Sequence, residues 1–97
     1  MPLRLVIHAP TEAALTRARS NARNLARAAP EAEVEIVANA GAALAAIRAG
    51  ETGPPLLLCA NTLAANGVEA PEGARTIPAA VLYIAERQAQ GWAYIRA

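Results

Sequence analysis

The chain has 97 residues, a net charge of +1 and a depleted alphabet, with no Lys, Asp or Phe and single copies of His8, Ser20, Cys59 and Trp92. Without lysine there is no Schiff-base or P-loop chemistry, and without aspartate there is no Ser-His-Asp triad, aspartate dyad or dinucleotide-binding ribose aspartate. One Cys and one His fall short of the three or four ligands of a zinc site, so no metal centre is expected within one chain.

Leu3 to Ala9 is a short apolar run closed by Pro10 and predicts a first strand. Thr11 is placed to cap a helix over Glu12 to Ala29, where Leu15, Ala18, Ala22, Leu25 and Ala29 recur every three or four residues. Pro30 ends it. A second strand is expected over Glu33 to Ala38. Asn39 can cap a second helix over Ala40 to Ala49, closed by Gly50 in the left-handed position. Gly53-Pro54-Pro55 is a turn. Leu56-Leu57-Leu58-Cys59 is uniformly apolar, as befits a strand covered on both faces. Asn61 can cap a short helix from Thr62 to about Asn66, ended by Gly67, with a loop to Gly73. A short strand over Arg75 to Ile77 follows. Pro78 suits the first turn of a fourth helix running to about Gln90, Gly91 stops it, and Trp92 to Arg96 forms a last strand. Strands alternating with helices in the order β-α-β-α-β-α-β-α-β predict one domain over 1–97, a three-layer α/β/α fold around a five-stranded, mainly parallel sheet.

Composition bounds the rest. Ala supplies 27 of the 53 hydrophobic residues, and Leu, Ile and Val total 21. So thin a core predicts help from oligomerisation. The near-neutral charge provides no broad basic field for nucleic acid. No apolar run approaches the ~18 residues of a membrane span, and the opening segment is too quickly broken for a signal peptide. A lone Cys suits a reducing cytoplasm.

In open parallel sheets ligands sit beyond the C-terminal strand ends. His8, Asn39, Cys59 with Asn61, and Ile77-Pro78 occupy those ends. Cys59 is the chemical candidate: the positive end of the following helix favours an anion and should lower the thiol pKa. Equally, a free Cys is often a small buried hydrophobe. His8 is a candidate proton donor or base, or else a capping or loop residue. Asn61 and Asn39 are caps first and ligands second. The Arg19, Arg23 and Arg27 stripe reads as a solvated helix face, Glu86 and Arg87 as surface, and Trp92, Tyr94 and Tyr83 as packing or interface anchors. Glu31, Glu33 and Glu35 begin a strand at the edge away from the candidate site.

Cys59-Ala60-Asn61-Thr62-Leu63 at the end of the third strand, followed by Asn66-Gly67, resembles the cysteine segment of small DsrE/DsrF-like proteins, the sulfur-relay superfamily. Leu5-Val6-Ile7-His8-Ala9 with Arg19, Asn21, Asn24 and Leu25 is similar to the family's opening. Glu33-Val34-Glu35-Ile36-Val37 is similar to its second strand, and Pro78-Ala79-Ala80 through Trp92-Ala93-Tyr94-Ile95 resembles its last helix and strand. The resemblance covers nearly the whole chain and is closest to the small single-domain branch. It implies a cytoplasmic α/β protein assembling into trimers or hexamers, with a cysteine that carries sulfur as a persulfide; here that cysteine can only be Cys59.

Two functions of different class follow as expectations. In the first, Cys59 is a sulfur carrier, its anion stabilised by helix N–H groups and Asn61, with Asn39 and Thr62 as further ligands and His8 managing protons. No cofactor is needed, and the donor and acceptor proteins are unnamed. In the second, the chain is a non-catalytic oligomeric small-ligand-binding or structural module with an inert Cys59.

Overall fold

The computed structural model describes residues 2–97. Five strands and four helices alternate: β1 (Arg4–Ala9), α1 (Glu12–Ala28), β2 (Glu33–Ala38), α2 (Ala40–Ala49), β3 (Leu56–Cys59), α3 (Ala60–Ala65), β4 (Thr76–Ile77), α4 (Ala80–Ala89) and β5 (Ala93–Arg96). The strands form one sheet in the order β4-β3-β2-β1-β5, and every pairing among the described residues is parallel. This is the three-layer α/β/α fold expected from the alternation.

Local chemistry accounts for most element ends. The Thr11 hydroxyl accepts the Ala14 N–H at 3.0 Å and starts α1, as an N-cap should. Gly50 ends α2 at φ 69°, a conformation that costs an L-residue about 1 kcal/mol. β3 is buried along its whole length, the expected state of a central parallel strand.

Strand order decides the layers. From β1 through β4 each crossover steps in the same direction across the sheet; the last one, from β4 to β5, leaps back over the whole sheet. With right-handed crossovers, α1, α2 and α3 must then share one face and α4 must take the other. The packing agrees. Ile7, Ile36, Leu56 and Leu58 meet Leu15, Ala18, Ala42, Ala46 and Leu63 on one face. Val6, Val37, Leu57, Cys59 and Ile77 meet Ala80, Tyr83, Ile84 and Trp92 on the other. Alanine on α1 and α2 lets these helices lie close to the sheet.

The α4 face is locked by a charged cluster that corrects the expectation of a surface Arg87 and an uninvolved Glu35. Glu35, 9% exposed in the middle of β2, receives the Arg87 guanidinium as a fork, with Nε donating to Oε1 at 2.8 Å and Nη2 to Oε2 at 3.1 Å. The Tyr83 hydroxyl donates to the same carboxylate at 2.7 Å. Arg87 also lies over the Trp92 ring at 4.5 Å and the Tyr83 ring at 5.0 Å. Such bidentate, stacked geometry is what arginine provides and lysine does not. The carboxylate raises Arg87 above its ordinary pKa, while burial first and Glu35 second raise Tyr83.

Among the described residues no helix is long and apolar enough to cross a membrane, and no group of three or more His, Cys or acidic residues could hold a metal ion.

Candidate functional site

Strands β3 and β4 are neighbours, but the helices that follow them leave toward opposite faces of the sheet. That divergence leaves a crevice between the two loops beyond the carboxyl ends of these strands, while the strand order itself reverses between β1 and β5. Cys59, the last residue of β3, lies there, with its side chain on the α4 face.

The local chain differs from the expected capping. Cys59 itself is the N-cap of α3, and the helix begins at Ala60. Asn61, expected to be the cap, is the second helical residue and its side chain is exposed. Its backbone N–H donates to Pro78 O at 3.3 Å, tying the two loops of the crevice together. Pro78 likewise precedes α4 rather than lying in its first turn, and Ala79 is the N-cap.

Cys59 is 4% exposed, and burial is the largest single influence on its thiol, pushing the pKa up. It is outweighed by the summed hydrogen bonds from the Thr62 and Ala80 backbone, the Thr62 side chain and the Asn61 backbone, so that the thiol lies below its ordinary value. Backbone N–H groups from the first turns of both α3 and α4 thus act together to lower the pKa of one thiol. An anion is favoured there by both the unpaired N–H groups and the helix dipoles.

His8 and Asn39 occupy the neighbouring strand ends. The parallel register sets Ala38 opposite Leu58, which puts Asn39 opposite Cys59, one residue beyond β2. His8 Nε2–H donates to Asn39 Oδ1 at 2.9 Å. Asn39 thus does not serve α2 as a side-chain cap; its oxygen is committed to His8. The N–H of Ala40, at the start of α2, instead donates to Thr62 Oγ1 at 3.0 Å. A long-range threonine does the capping expected of a local asparagine. Ala40 sits at φ 47°, the left-handed region that costs a residue with a Cβ about 1–2 kcal/mol.

The expected direct partnership of His8 with Cys59 takes a different form. β2 lies between β1 and β3, which separates their backbones by about 10 Å. Hydrogen bonds join His8 to Asn39 and the Ala40 N–H to Thr62, three residues beyond Cys59. Of the residues singled out from sequence, Cys59, Thr62, Asn39 and His8 are brought together as one linked set, and Asn61 joins through its backbone. Ala80 is an addition that sequence reasoning misses. Its contribution is a backbone N–H, visible only once β4 is known to flank β3.

Beside this set, a groove of about 410 Å³ runs between α4 and the β1–β5 edge, lined by His8, Asn39, Ala80, Ile84, Gln88 and Tyr94 among others.

No protein-family model matches the chain, and no curated protein matches it. Among solved structures, the chain is similar to the protein of unknown function MTH1491 from Methanobacterium thermoautotrophicum, at 27% identity and a TM-score of 0.79, over 98% of this chain and 99% of that one. The likeness spans every element and agrees with the fold described above.

Proposed function

We propose that the protein is a sulfur carrier of the DsrE/DsrF-like kind, holding sulfane sulfur as a persulfide on Cys59 and passing it to an acceptor thiol. The observation that supports this reading is the place of Cys59 at the end of β3 and the N-cap of α3, where backbone N–H groups of Thr62, Ala80 and Asn61 help to lower its thiol pKa. In the loading step the Cys59 thiolate attacks the outer sulfur of a donor persulfide. A Cys59–sulfur bond forms, the donor's S–S bond breaks, and the donor leaves as its thiolate. In the unloading step an acceptor thiolate attacks that outer sulfur, and the Cys59 thiolate departs. The same N–H groups stabilise Cys59 as nucleophile and as leaving group. Donor and acceptor are thiol-bearing partners, the working form is a homo-oligomer such as a trimer or hexamer, and the setting is a reducing cytoplasm.

The test is intact mass after incubation with a persulfide donor. Wild type gains one sulfur atom and Cys59→Ser gains none; an unchanged wild-type mass, under conditions that load a known carrier, overturns the reading.

The burial of Cys59 and the adjoining groove favour a second reading, a non-catalytic oligomeric module that holds a small ligand and uses Cys59 as core. Alkylation separates the two. A thiol pKa at or above the ordinary value with slow alkylation supports the module; a depressed pKa supports the carrier.

A further inference from the structure

We infer that the groove between α4 and the β1–β5 edge is a binding site for a small amphiphilic carboxylate, its head held at His8, Asn39 and Arg96 and its apolar tail laid along α4. The site goes beyond the carrier reading and does not rest on it: Cys59 is not among the residues that line the groove. It supplies the ligand class that the second reading leaves open.

The strand order reverses between β1 and β5, and in open α/β sheets ligands bind beyond the carboxyl strand ends at such a reversal. The groove lies there, and its volume of about 410 Å³ is within the range of small-molecule sites. Its polar and apolar parts are segregated. His8 is near the end of β1 and Asn39 directly follows β2, so both stand at the carboxyl edge of the sheet. Val81, Ile84, Ala85 and Gln88 continue along one flank of α4, three or four residues apart, and Tyr94 of β5 lines the groove with them. From Ala80 to Gln88 the helix rises about 12 Å, enough for an acyl chain of medium length.

The polar end favours an anion. The Asn39 side-chain oxygen accepts from His8 at 2.9 Å, which leaves the Asn39 amide N–H groups as donors to a ligand. His8 pairs in register with Arg96. Arg96 is also two residues beyond Tyr94 on the same strand, so it stands on the groove side of the sheet. It forms no ion pair among the described residues. No acidic residue lines the groove, and the buried carboxylate on this face, Glu35, is already paired with Arg87 at 2.8 Å. A carboxylate head offers acceptors to the Asn39 amide and to a guanidinium at once. An aliphatic tail covers the apolar flank of α4, where Val81 is 79% exposed.

The experiment titrates octanoate and its neutral analogue octanamide into the protein. The imidazole resonances of His8, the sole histidine, are followed by NMR, and affinities are measured by calorimetry. Octanoate should displace the His8 signals saturably and bind about tenfold tighter than octanamide, the worth of a hydrogen bond to a charged group. Asn39→Asp keeps the oxygen that His8 bonds and replaces the amide donors with a like charge, so the preference for octanoate should be lost. Arg96→Gln should weaken octanoate about threefold, the scale of an exposed ion pair. Ala85→Phe narrows the groove from its exposed wall and should weaken both ligands. If Asn39→Asp loses its folded circular dichroism signal, Arg96→Gln and Ala85→Phe carry the comparison. Octanamide binding as tightly as octanoate, or octanoate binding that Ala85→Phe leaves unchanged, overturns the inference. So does an unmoved His8 signal at millimolar octanoate, including the case in which light scattering shows a second copy seated over the groove. Persulfide loading, read by mass, decides the carrier reading separately.

Discussion

Cys59 carries a pH signature that follows from its surroundings. Its thiol lies below the ordinary value in the folded chain, so the fold prefers the thiolate. The folded state then binds fewer protons than the unfolded one between the two pKa values. Stability should rise with pH across that window, reach its full value above the unfolded thiol pKa of about 8.5, and be lost as pH falls through the folded value. Urea unfolding at a series of pH values checks this, and Cys59→Ala should lack the rise. At Glu35 the charge balance is structural. Arg87→Ala leaves a carboxylate with 11% side-chain exposure without its cation. Because Arg87 is itself partly exposed, the expected loss is about 2 kcal/mol, below that of a fully buried pair. For a domain of this size that lowers the melting temperature by roughly 10 °C. Calorimetry measures it, and the paired change Glu35→Leu with Arg87→Met should cost less than Arg87→Ala alone. Each half of this pair has a trace in the amino-acid sequence. A carboxylate in the middle of a strand covered on both faces needs a buried cation, and Tyr83 and Arg87, four apart on one helix, can supply the partners. What joins the halves is a contact across 52 residues of chain, and no local pattern encodes that.

Element boundaries are most legible where punctuation is local. β2, α2 and β3 run over the residues expected, because Gly, Pro and the apolar runs mark their ends within a few positions. The caps of α2 and α3 are least legible, for the opposite reason. Asn39 and Asn61 satisfy the local rule for an N-cap, yet the groups that meet those helix starts come from elsewhere in the chain. His8 takes the Asn39 oxygen, and Thr62 takes the Ala40 N–H. The strain that results at Ala40 makes a prediction about α2. Ala40 is exposed and at φ 47°, so Ala40→Gly relieves the Cβ clash without opening a cavity. A gain of about 0.5–1 kcal/mol is expected after glycine's own entropic cost, readable as a higher urea midpoint at unchanged slope. By contrast Thr11→Ala, which removes the cap seen at Ala14, should cost about 1 kcal/mol.

For the molecule as a whole, layer assignment depends on strand order, which a single chain's local patterns do not encode. Alternation announces a parallel sheet, but it does not say that β5 returns to the far side of β1. That return sends α4 alone to its face, among the described residues, so the helices after β3 and β4 diverge and β5 lies beside β1 where the strand order reverses. It also leaves apolar surface uncovered. Val81 is 79% and Leu82 54% exposed on α4, and every residue of β5 is exposed. Contiguous patches of this kind mark association surfaces, and the proposed self-assembly would draw on this one. Light scattering at micromolar concentration should give a mass above the 10.0 kDa of one chain. The Val81→Glu, Leu82→Glu double variant should fall back toward it while keeping its fold, since neither side chain belongs to the core. The same face has an optical consequence. Trp92 is the sole indole in the chain, and it is stacked on the Arg87 guanidinium with Arg4 at 6.0 Å from its ring. Its fluorescence therefore reports from a single place, the seam where α4 turns into β5. Loosening of that seam would appear as a red-shifted emission while the α1–α3 side remains folded. A denaturation curve read at the indole and one read by circular dichroism can then be compared directly, to show whether the two faces of this sheet come apart together.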